Sequence, residues 1–186
     1  MSPAMPKKIG DWEIIREVGS GGFGKAYLAK HMKYGRKAIV KQLDPSPNNG
    51  THEANLARFQ REAEILEKLE SPYISKLFGY NFRLQKPFIA MQFFPGSNLL
   101  EYLESGYSIG EAQWFQMAHD ILSGLAHAHS LGIVHRDLNL KNIILYYDGA
   151  RLIDFGLSRF ASDPTRTVIA GADGFVSPEY LEGKPK

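Results

Sequence analysis

The 186-residue chain contains no cysteine, which excludes a disulfide framework, a cysteine nucleophile and a thiolate metal site. It has no apolar run approaching the ~18 residues of a membrane-spanning helix. Its first residues also lack the apolar stretch of a secretory signal, so we expect a cytoplasmic protein. The net charge of +2 is too small to indicate a nucleic-acid partner. The remaining composition, 44% hydrophobic and 23% charged, is that of an ordinary folded domain.

Two regions with different residue patterns meet near Pro95. Before it, short runs rich in β-branched and aromatic residues predict strands at residues 12–18, 37–43, 74–80 and 88–93. Apolar residues at helical spacing between Leu56 and Leu69 predict one helix among them. The first region is therefore predicted to be mainly β-structure with a single helix.

The region after Pro95 is predicted to be mainly helical. Ser108 and Glu111 have the spacing of a capping box, and an apolar stripe from Trp114 to Ala128 follows, through Met117, Ala118, Ile121 and Leu125. Two short runs at residues 143–146 and 151–153, separated by Asp148-Gly149, predict a β-hairpin.

Residues 19–24 read Gly-Ser-Gly-Gly-Phe-Gly, a loop whose backbone N–H groups can approach phosphate oxygens because glycine has no Cβ. In a dinucleotide-binding unit such a loop opens a helix, and an acidic residue follows about 20 residues later. Residues 25–30 and Asp44 fit that alternative. The same loop can instead be the tip of a β-hairpin that covers ATP phosphates, or consist of plain turn glycines. The loop alone does not decide between them.

Four further motifs follow the loop in a fixed order. Lys41 lies 22 residues after Gly19, and residues 135–142 read His-Arg-Asp-Leu-Asn-Leu-Lys-Asn. Asp154-Phe155-Gly156 and Ser177-Pro178-Glu179 come next. These match the strand lysine, H-R-D-L-x-x-x-N, D-F-G and A-P-E. The chain therefore resembles the eukaryotic-type protein kinase catalytic domain from about Trp12 to its last residue, whereas the dinucleotide alternative explains nothing after Asp44.

The resemblance implies an α+β, two-lobed fold of the protein kinase type. Residues 1–11 would be an N-terminal tail, and residues 12–94 an N-lobe with an antiparallel sheet and one helix. Residues 95–186 would be a partial, mainly helical C-lobe. Because the chain stops seven residues after Glu179, we expect it to be a fragment of a longer protein.

The resemblance also implies ATP- and Mg²⁺-dependent phosphoryl transfer to a protein substrate. Lys41 would neutralise the α- and β-phosphates and Glu62 would hold Lys41, whereas Asp137 would orient the substrate hydroxyl or accept its proton. Asn142 and Asp154 would ligate Mg²⁺. The residues expected to contact ATP are Gly19, Ser20, Gly21, Gly22, Phe23, Gly24, Ala26, Ile39, Lys41, Met91, Gln92, Phe94 and Ile144. Those that match the family's stacked regulatory spine are Leu66, Leu77, His135 and Phe155.

The chain departs from the family at several positions. Asn139 replaces the lysine of serine/threonine kinases, and Ala172 replaces the threonine that pairs with that lysine. Lys141 occupies a position where tyrosine kinases often carry arginine, so we expect it to restore the positive charge and act in catalysis. The pair Ile39 and Ala26 exchanges a large and a small residue at the expected adenine site, which conserves its volume.

These departures leave more than one function open. The tryptophan that tyrosine kinases carry before A-P-E is absent, which favours serine/threonine substrates. The alternative is a pseudokinase or scaffold module that binds nucleotide or partners without efficient catalysis. A small-molecule phosphotransferase of related fold would lack this glycine loop.

Thr165 and Thr167 lie where the family places an activating phosphate, which Arg136 would bind.

Overall fold

The computed structural model describes residues 5–21, 24–44, 52–147, 149–156 and 158–160. The chain divides into two compact units. The first comprises Met1–Glu67 and Lys76–Phe93, and the second comprises Lys68–Ser75 and Phe94–Lys186.

The first unit contains a six-stranded antiparallel sheet with the strand order β1-β2-β3-β4-β6-β5. Its strands are β1 (Lys8–Ile9), β2 (Trp12–Gly21), β3 (Gly24–His31), β4 (Lys37–Leu43), β5 (Leu77–Asn81) and β6 (Phe88–Gln92), and its helix is α1 (His52–Lys68). Residues 24–31 form a strand, which contradicts the helix that a dinucleotide-binding loop would open. The glycine loop instead joins two paired strands, β2 and β3.

One face of this sheet carries the apolar core of the first unit. Its buried members are Ile9, Trp12, Ile14, Tyr27, Ala29, Ala38, Val40, Phe88 and Ala90. Because successive side chains of a strand point to opposite faces, the burial of Ala38 and Val40 on this side sends Ile39 and Lys41 to the other. The core thereby sets which face of β4 is available for chemistry.

The predicted strand at residues 74–80 begins only at Leu77. The residues before it pair elsewhere: Ile74 forms a parallel bridge with Leu152, and the Ser75 N–H donates to the Leu152 carbonyl at 2.9 Å. The segment before β5 thus belongs to the second unit because its backbone hydrogen bonds are made there.

Within its described residues, the second unit combines helices with two small antiparallel sheets. Its elements are α2 (Leu99–Glu104), α3 (Glu111–Ser130), β7 (Ile133–Val134), a 3₁₀ turn (Leu140–Asn142), β8 (Ile143–Tyr146), β9 (Gly149–Leu152) and β10 (Arg159–Phe160). Strand β7 pairs with β10, and β8 pairs with β9 as the predicted hairpin. Asp148, predicted in the hairpin turn, lies outside the described residues.

The predicted capping box at Ser108 is wrong. Helix α3 has Gly110 as its N-cap, without a side-chain hydrogen bond. A complete capping box opens α2 instead, where Asn98 accepts from the Glu101 N–H and the Glu101 side chain accepts from the Asn98 N–H. Ser108 had the required spacing, but the chain enters the helical conformation too late for its side chain to reach an orphan N–H group.

The predicted apolar stripe of α3 is only partly buried. Trp114 and Ala118 are exposed, whereas Met117, Asp120, Gly124 and Ala128 are buried. A Cβ on Gly124 would lie 3.0 Å from a methyl of Leu152, so β9 packs closely against this side of the helix. Close packing against β9 therefore requires a small residue at position 124, and the buried face combines Met117 with two small residues and one carboxylate rather than with Trp114.

Asp120 ties the buried face of α3 to the β8–β9 hairpin. Its carboxylate accepts hydrogen bonds from the Ala150 N–H at 3.0 Å, from Arg151 at 3.2 Å and from Gln116 at 2.8 Å. Burial by itself would raise the pKa of Asp120, but the hydrogen bonds from Ala150, His119 and Gln116, with the charge of Arg151, outweigh it and lower that pKa. The hairpin is thus fixed through a buried carboxylate.

We expect Asp120→Ala to destabilise the protein by about 2–4 kcal/mol, because it leaves the buried Ala150 N–H and the Arg151 guanidinium without their acceptor. Urea unfolding of the variant against wild type measures the loss. Glu111→Ala, at an exposed position of the same helix, is the control and should change stability by less than about 0.5 kcal/mol. Equal stabilities for the two variants would contradict the role assigned to Asp120.

Candidate functional site

In the first unit, Lys41 and Glu62 form an ion pair between β4 and α1. The Lys41 Nζ lies 2.7 Å from Glu62 Oε1, and the two side chains are only 21% and 7% exposed. A carboxylate this buried requires a cationic or hydrogen-bonding partner, because desolvation of an unpaired charge is costly. Glu64, two residues further along α1, is exposed. Of these two glutamates, the helix thus presents only Glu62 to the lysine.

Several residues expected to contact ATP share one face of the sheet with Lys41. Ala26 is the cross-strand partner of Lys41, and Ile39 is the partner of Met91. Directly paired residues project to the same side of a sheet, as do residues two apart in one strand. Ala26, Ile39, Lys41 and Met91 therefore line a single surface, opposite the apolar core.

The glycine loop adjoins this face at the ends of β2 and β3. Gly19, Ser20 and Gly21 close β2, and Gly24 opens β3 with a φ of +146°. A Cβ on Gly24 would overlap the carbonyl oxygen of Gln42, so only glycine fits there. Gly22 and Phe23 were predicted to contact ATP and lie outside the described residues.

In the second unit, the Asp137 carboxylate is held by two asparagine amides. Asn139 Nδ2 donates to Asp137 Oδ1 at 3.1 Å, and Asn142 Nδ2 donates to Asp137 Oδ2 at 3.0 Å. Both amides also donate to the Asp137 backbone carbonyl, at 3.0 and 2.9 Å. One amide therefore engages each carboxylate oxygen and fixes the plane of the group.

The β8–β9 hairpin brings Asp154 close to Asn142 in the fold. Asn142 immediately precedes β8, and its carbonyl accepts from the Ile153 N–H at 2.9 Å, one residue before Asp154. Asp154 has a φ of +62°, and its Oδ1 accepts from the Gly156 N–H at 3.1 Å. An amide oxygen and a carboxylate are hard oxygen ligands of the kind that Mg²⁺ prefers. The donor set thus fits a magnesium ion.

His135 connects the segment before Asp137 to the segment around Asp154. Its Nδ1 accepts from the Asp137 N–H at 3.3 Å, and its Nε2 lies 3.4 Å from the Ile153 carbonyl. A neutral imidazole with its proton on Nε2 satisfies both contacts. Burial lowers the pKa of His135, although the Ile153 carbonyl and the carboxylates of Asp154 and Asp137 oppose that shift.

Phe155 packs against the same histidine, with the ring centroids 4.5 Å apart and both residues buried. Two members of the expected spine are therefore in contact in the second unit. Its other members belong to the first unit, where Leu66 is buried and Leu77 is half-buried.

The remaining predicted residues have more varied surroundings. The Gln92 N–H donates to the Lys76 carbonyl at 2.8 Å in the first unit. In the second unit, Phe94 packs on Tyr146, and Ile144 is half-buried in β8. Lys141 is exposed. Residues Thr165, Thr167, Ala172 and 177–179 lie outside the described residues.

Sequence reasoning missed what Asn139 does. The sequence indicates only that a lysine charge is absent at this position, whereas in the structure Asn139 is buried and donates a hydrogen bond to Asp137. The one indication in the sequence was the spacing of Asn139 and Asn142, because asparagines at the two ends of a short turn can both reach back to the carboxylate of Asp137.

The described part of the chain lacks two kinds of feature. No three histidine, aspartate or glutamate side chains there are grouped as they would be around a metal ion. No helix among the same residues has the length and apolar character needed to cross a bilayer.

The comparisons of this chain with a family model and with individual known proteins agree with one another. A family described as the protein kinase domain matches residues 12–186. The serine/threonine-protein kinase ppk25 of Schizosaccharomyces pombe is 33% identical over 96% of this chain and 42% of its own length. PknA of a Nostoc species is 32% identical over 94% of this chain and 34% of its own length. PknD of Mycobacterium tuberculosis is 31% identical, with coverages of 98% and 28%. The chain thus spans less than half the length of these relatives.

Stability should depend on pH through His135. Because burial lowers its pKa in the native state, the unfolded chain binds a proton below about pH 6.5 that the native state does not. We therefore expect the melting temperature to fall between about pH 7.5 and 5.5. The fall should be smaller in His135→Phe, which keeps a ring against Phe155.

Thermal unfolding at the two pH values measures this difference. His129→Phe makes the same chemical change at an exposed position of α3 and serves as the control. An identical pH dependence in wild type and His135→Phe would show that His135 does not cause the fall.

Proposed function

Because the chain belongs to the protein kinase domain family, we propose that it transfers the γ-phosphoryl group of ATP to serine or threonine hydroxyls of protein substrates. The observation that carries the proposal is the cluster of Asp137, Asn142 and Asp154 in the second unit. The residue expected to act as the base and the two expected to ligate Mg²⁺ are linked there by hydrogen bonds and by the β8–β9 hairpin. That is the combination which phosphoryl transfer requires.

In the proposed reaction, a substrate hydroxyl approaches the Asp137 carboxylate, whose orientation is fixed by the two amides. As the oxygen–phosphorus bond forms, the hydroxyl proton passes to Asp137. The bond between the γ-phosphorus and the bridging oxygen breaks, and ADP leaves with that oxygen. Asn142 and Asp154 would hold Mg²⁺, which when bound supplies positive charge to the phosphates.

Lys41 would supply a second positive charge, in addition to that of Mg²⁺. Its ammonium group would neutralise the α- and β-phosphates, and the contact with Glu62 would keep it in place when no nucleotide is present. Ala26, Ile39 and Met91 would form the adenine surface beside it. The contributions of the glycine loop, Gln92, Phe94, Ile144 and Lys141 remain predictions, as does the cytoplasmic location.

Two features support serine and threonine over tyrosine as acceptors. Relatives from a yeast and from bacteria are named serine/threonine-protein kinases, and the tyrosine-kinase tryptophan before Ser177-Pro178-Glu179 is absent. A scaffold without catalysis would not need Lys41, Asp137, Asn142 and Asp154 together, so the enzymatic proposal accounts for more of the chain.

We expect Lys41→Met and Asp154→Asn each to reduce phosphoryl transfer by at least ~10²-fold, because each removes charge matched to the phosphates or the metal. Transfer from radiolabelled ATP to a generic basic protein measures the rate, with the full-length protein. Asp154→Asn should also weaken the Mg²⁺-dependent part of nucleotide binding.

Lys25→Met provides a matched control. Lys25 also pairs with a glutamate, Glu17, at 2.9 Å, but both side chains are over a third exposed. Its replacement should leave transfer unchanged. Turnover at the wild-type rate in Lys41→Met or Asp154→Asn would refute the kinase proposal.

Activity should also depend on phosphorylation after Asp154-Phe155-Gly156. Thr165 and Thr167 lie in the segment where the family places an activating phosphate, and Arg136, which immediately precedes Asp137, is the expected cation. Mass spectrometry of active full-length protein should find phosphate on one of the two threonines. Replacing both by alanine should lower activity, and full activity in the unphosphorylated double variant would rule out this control.

A further inference from the structure

We infer that Asn139 is a positioning residue for Asp137, acting as a neutral donor in the place of the family's lysine. The inference rests on the proposed function, because positioning matters only if Asp137 handles the substrate hydroxyl. It concerns a position where this chain departs from the family, and where the absence of the lysine suggested impaired catalysis.

The first argument is the orientation of the Asn139 amide. Its Oδ1 accepts from the Lys141 N–H at 2.9 Å, and its Nδ2 donates to Asp137 at both the carbonyl and Oδ1. A backbone N–H only donates, whereas a carbonyl and a carboxylate only accept. Rotating the amide by half a turn would lose all three contacts. The nitrogen of Asn139 is therefore the atom directed at Asp137.

The second argument is burial. Asn139 is 9% exposed and Asn142 is 8% exposed, so water has little access to replace either amide. Hydrogen bonds to an ionised carboxylate are stronger than neutral ones, and they gain strength where water is excluded. The two amides approach opposite oxygens of Asp137 and together oppose rotation of the carboxylate. Removing one of them would leave the group held from a single side.

The third argument is that lysine could not make the same set of contacts. An ammonium group has donors but no acceptor, so it cannot accept from the Lys141 N–H and cap the turn Leu140–Asn142. Asn139 caps the turn that carries Asn142 and holds Asp137 with the same side chain. The geometry of the base is thereby maintained without a lysine, although the charge which that lysine would supply is not.

Variants of Asn139 can separate capping from positioning. Aspartate and serine both cap helical turns well, and alanine does so poorly. Asn139→Asp keeps the acceptor for Lys141 but turns the donor toward Asp137 into a second carboxylate. If Asn139 positions Asp137, kcat should decrease from wild type to Asn139→Ser to Asn139→Asp, with the last at least ~10-fold down and KM for ATP within about twofold. If Asn139 only caps, Asn139→Asp should match wild type and Asn139→Ala should be the slowest, which would overturn the inference.

Asn98→Asp is the matched control. Asn98 also caps a helix through its Oδ1, at 2.9 Å from the Glu101 N–H, but in the capping box of α2. The same substitution should leave kcat unchanged there. A comparable loss of kcat in Asn98→Asp would mean that the effect at Asn139 is a general consequence of the added charge, which would also overturn the inference.

A second measurement does not require activity. Asn139→Asp should lower the melting temperature by a few degrees, since it places two carboxylates in contact. Combining it with Asp137→Asn restores the side-chain contact in the reversed direction, although the Asp137 carbonyl still lacks the donor from residue 139. The double variant should therefore melt above Asn139→Asp and below wild type. Additive losses in the double variant would refute the contact.

The two measurements fail separately. If wild type transfers no phosphate, the proposed function is wrong, whereas the melting temperatures still decide whether Asn139 holds Asp137. If wild type is active and the exchange fails to restore stability, the proposed function remains and the inference about Asn139 is wrong.

Discussion

The candidate site of the second unit depends on the pairing of β8 with β9. Asn142 immediately precedes the first of these strands, and Asp154 is the second residue after the end of the other, so the antiparallel register is what brings them close together. A slip of this register by one residue would turn every side chain of one strand to the opposite face. The positions of the two expected metal ligands are therefore a consequence of strand pairing.

The hairpin is in turn held by a buried charge on α3. Asp120 accepts from the Ala150 N–H and from Arg151, which fixes β9 at one point along the helix. Gly149 also belongs to this arrangement, because a Cβ there would overlap the Asp120 carboxylate. Two short strands bury little apolar area and are only marginally stable alone. The polar anchor supplies the register that the apolar contacts of such a hairpin would leave loosely defined.

Much of the fold was predictable because it follows from local chemistry. Runs of β-branched and aromatic residues predicted strands β4 and β6, and helical spacing predicted α1. The predicted capping box was wrong because residue types at the right spacing, such as Ser108 and Glu111, do not show at which residue the helix begins. The prediction of the buried face of α3 was partly wrong for a different reason, since tight contact with β9 selects Gly124 and Asp120 over Trp114. Tertiary contacts decide such positions, and a single helix does not encode them.

The family resemblance predicts roles for the residues that match its motifs, but it predicts none for Asn139, where the chain departs from it. A missing lysine at residue 139 was interpreted through charge alone, because a sequence lists side chains without their partners. The geometry shows that asparagine contributes an acceptor as well as a donor, and that both are used. A departure at a catalytic position is therefore poor evidence for lost function until the contacts of the replacement are known. Here the replacement retains the constraint on Asp137 and gives up the cation, and these two effects act on different parts of the proposed reaction: the orientation of the base and the charge on the transferring group.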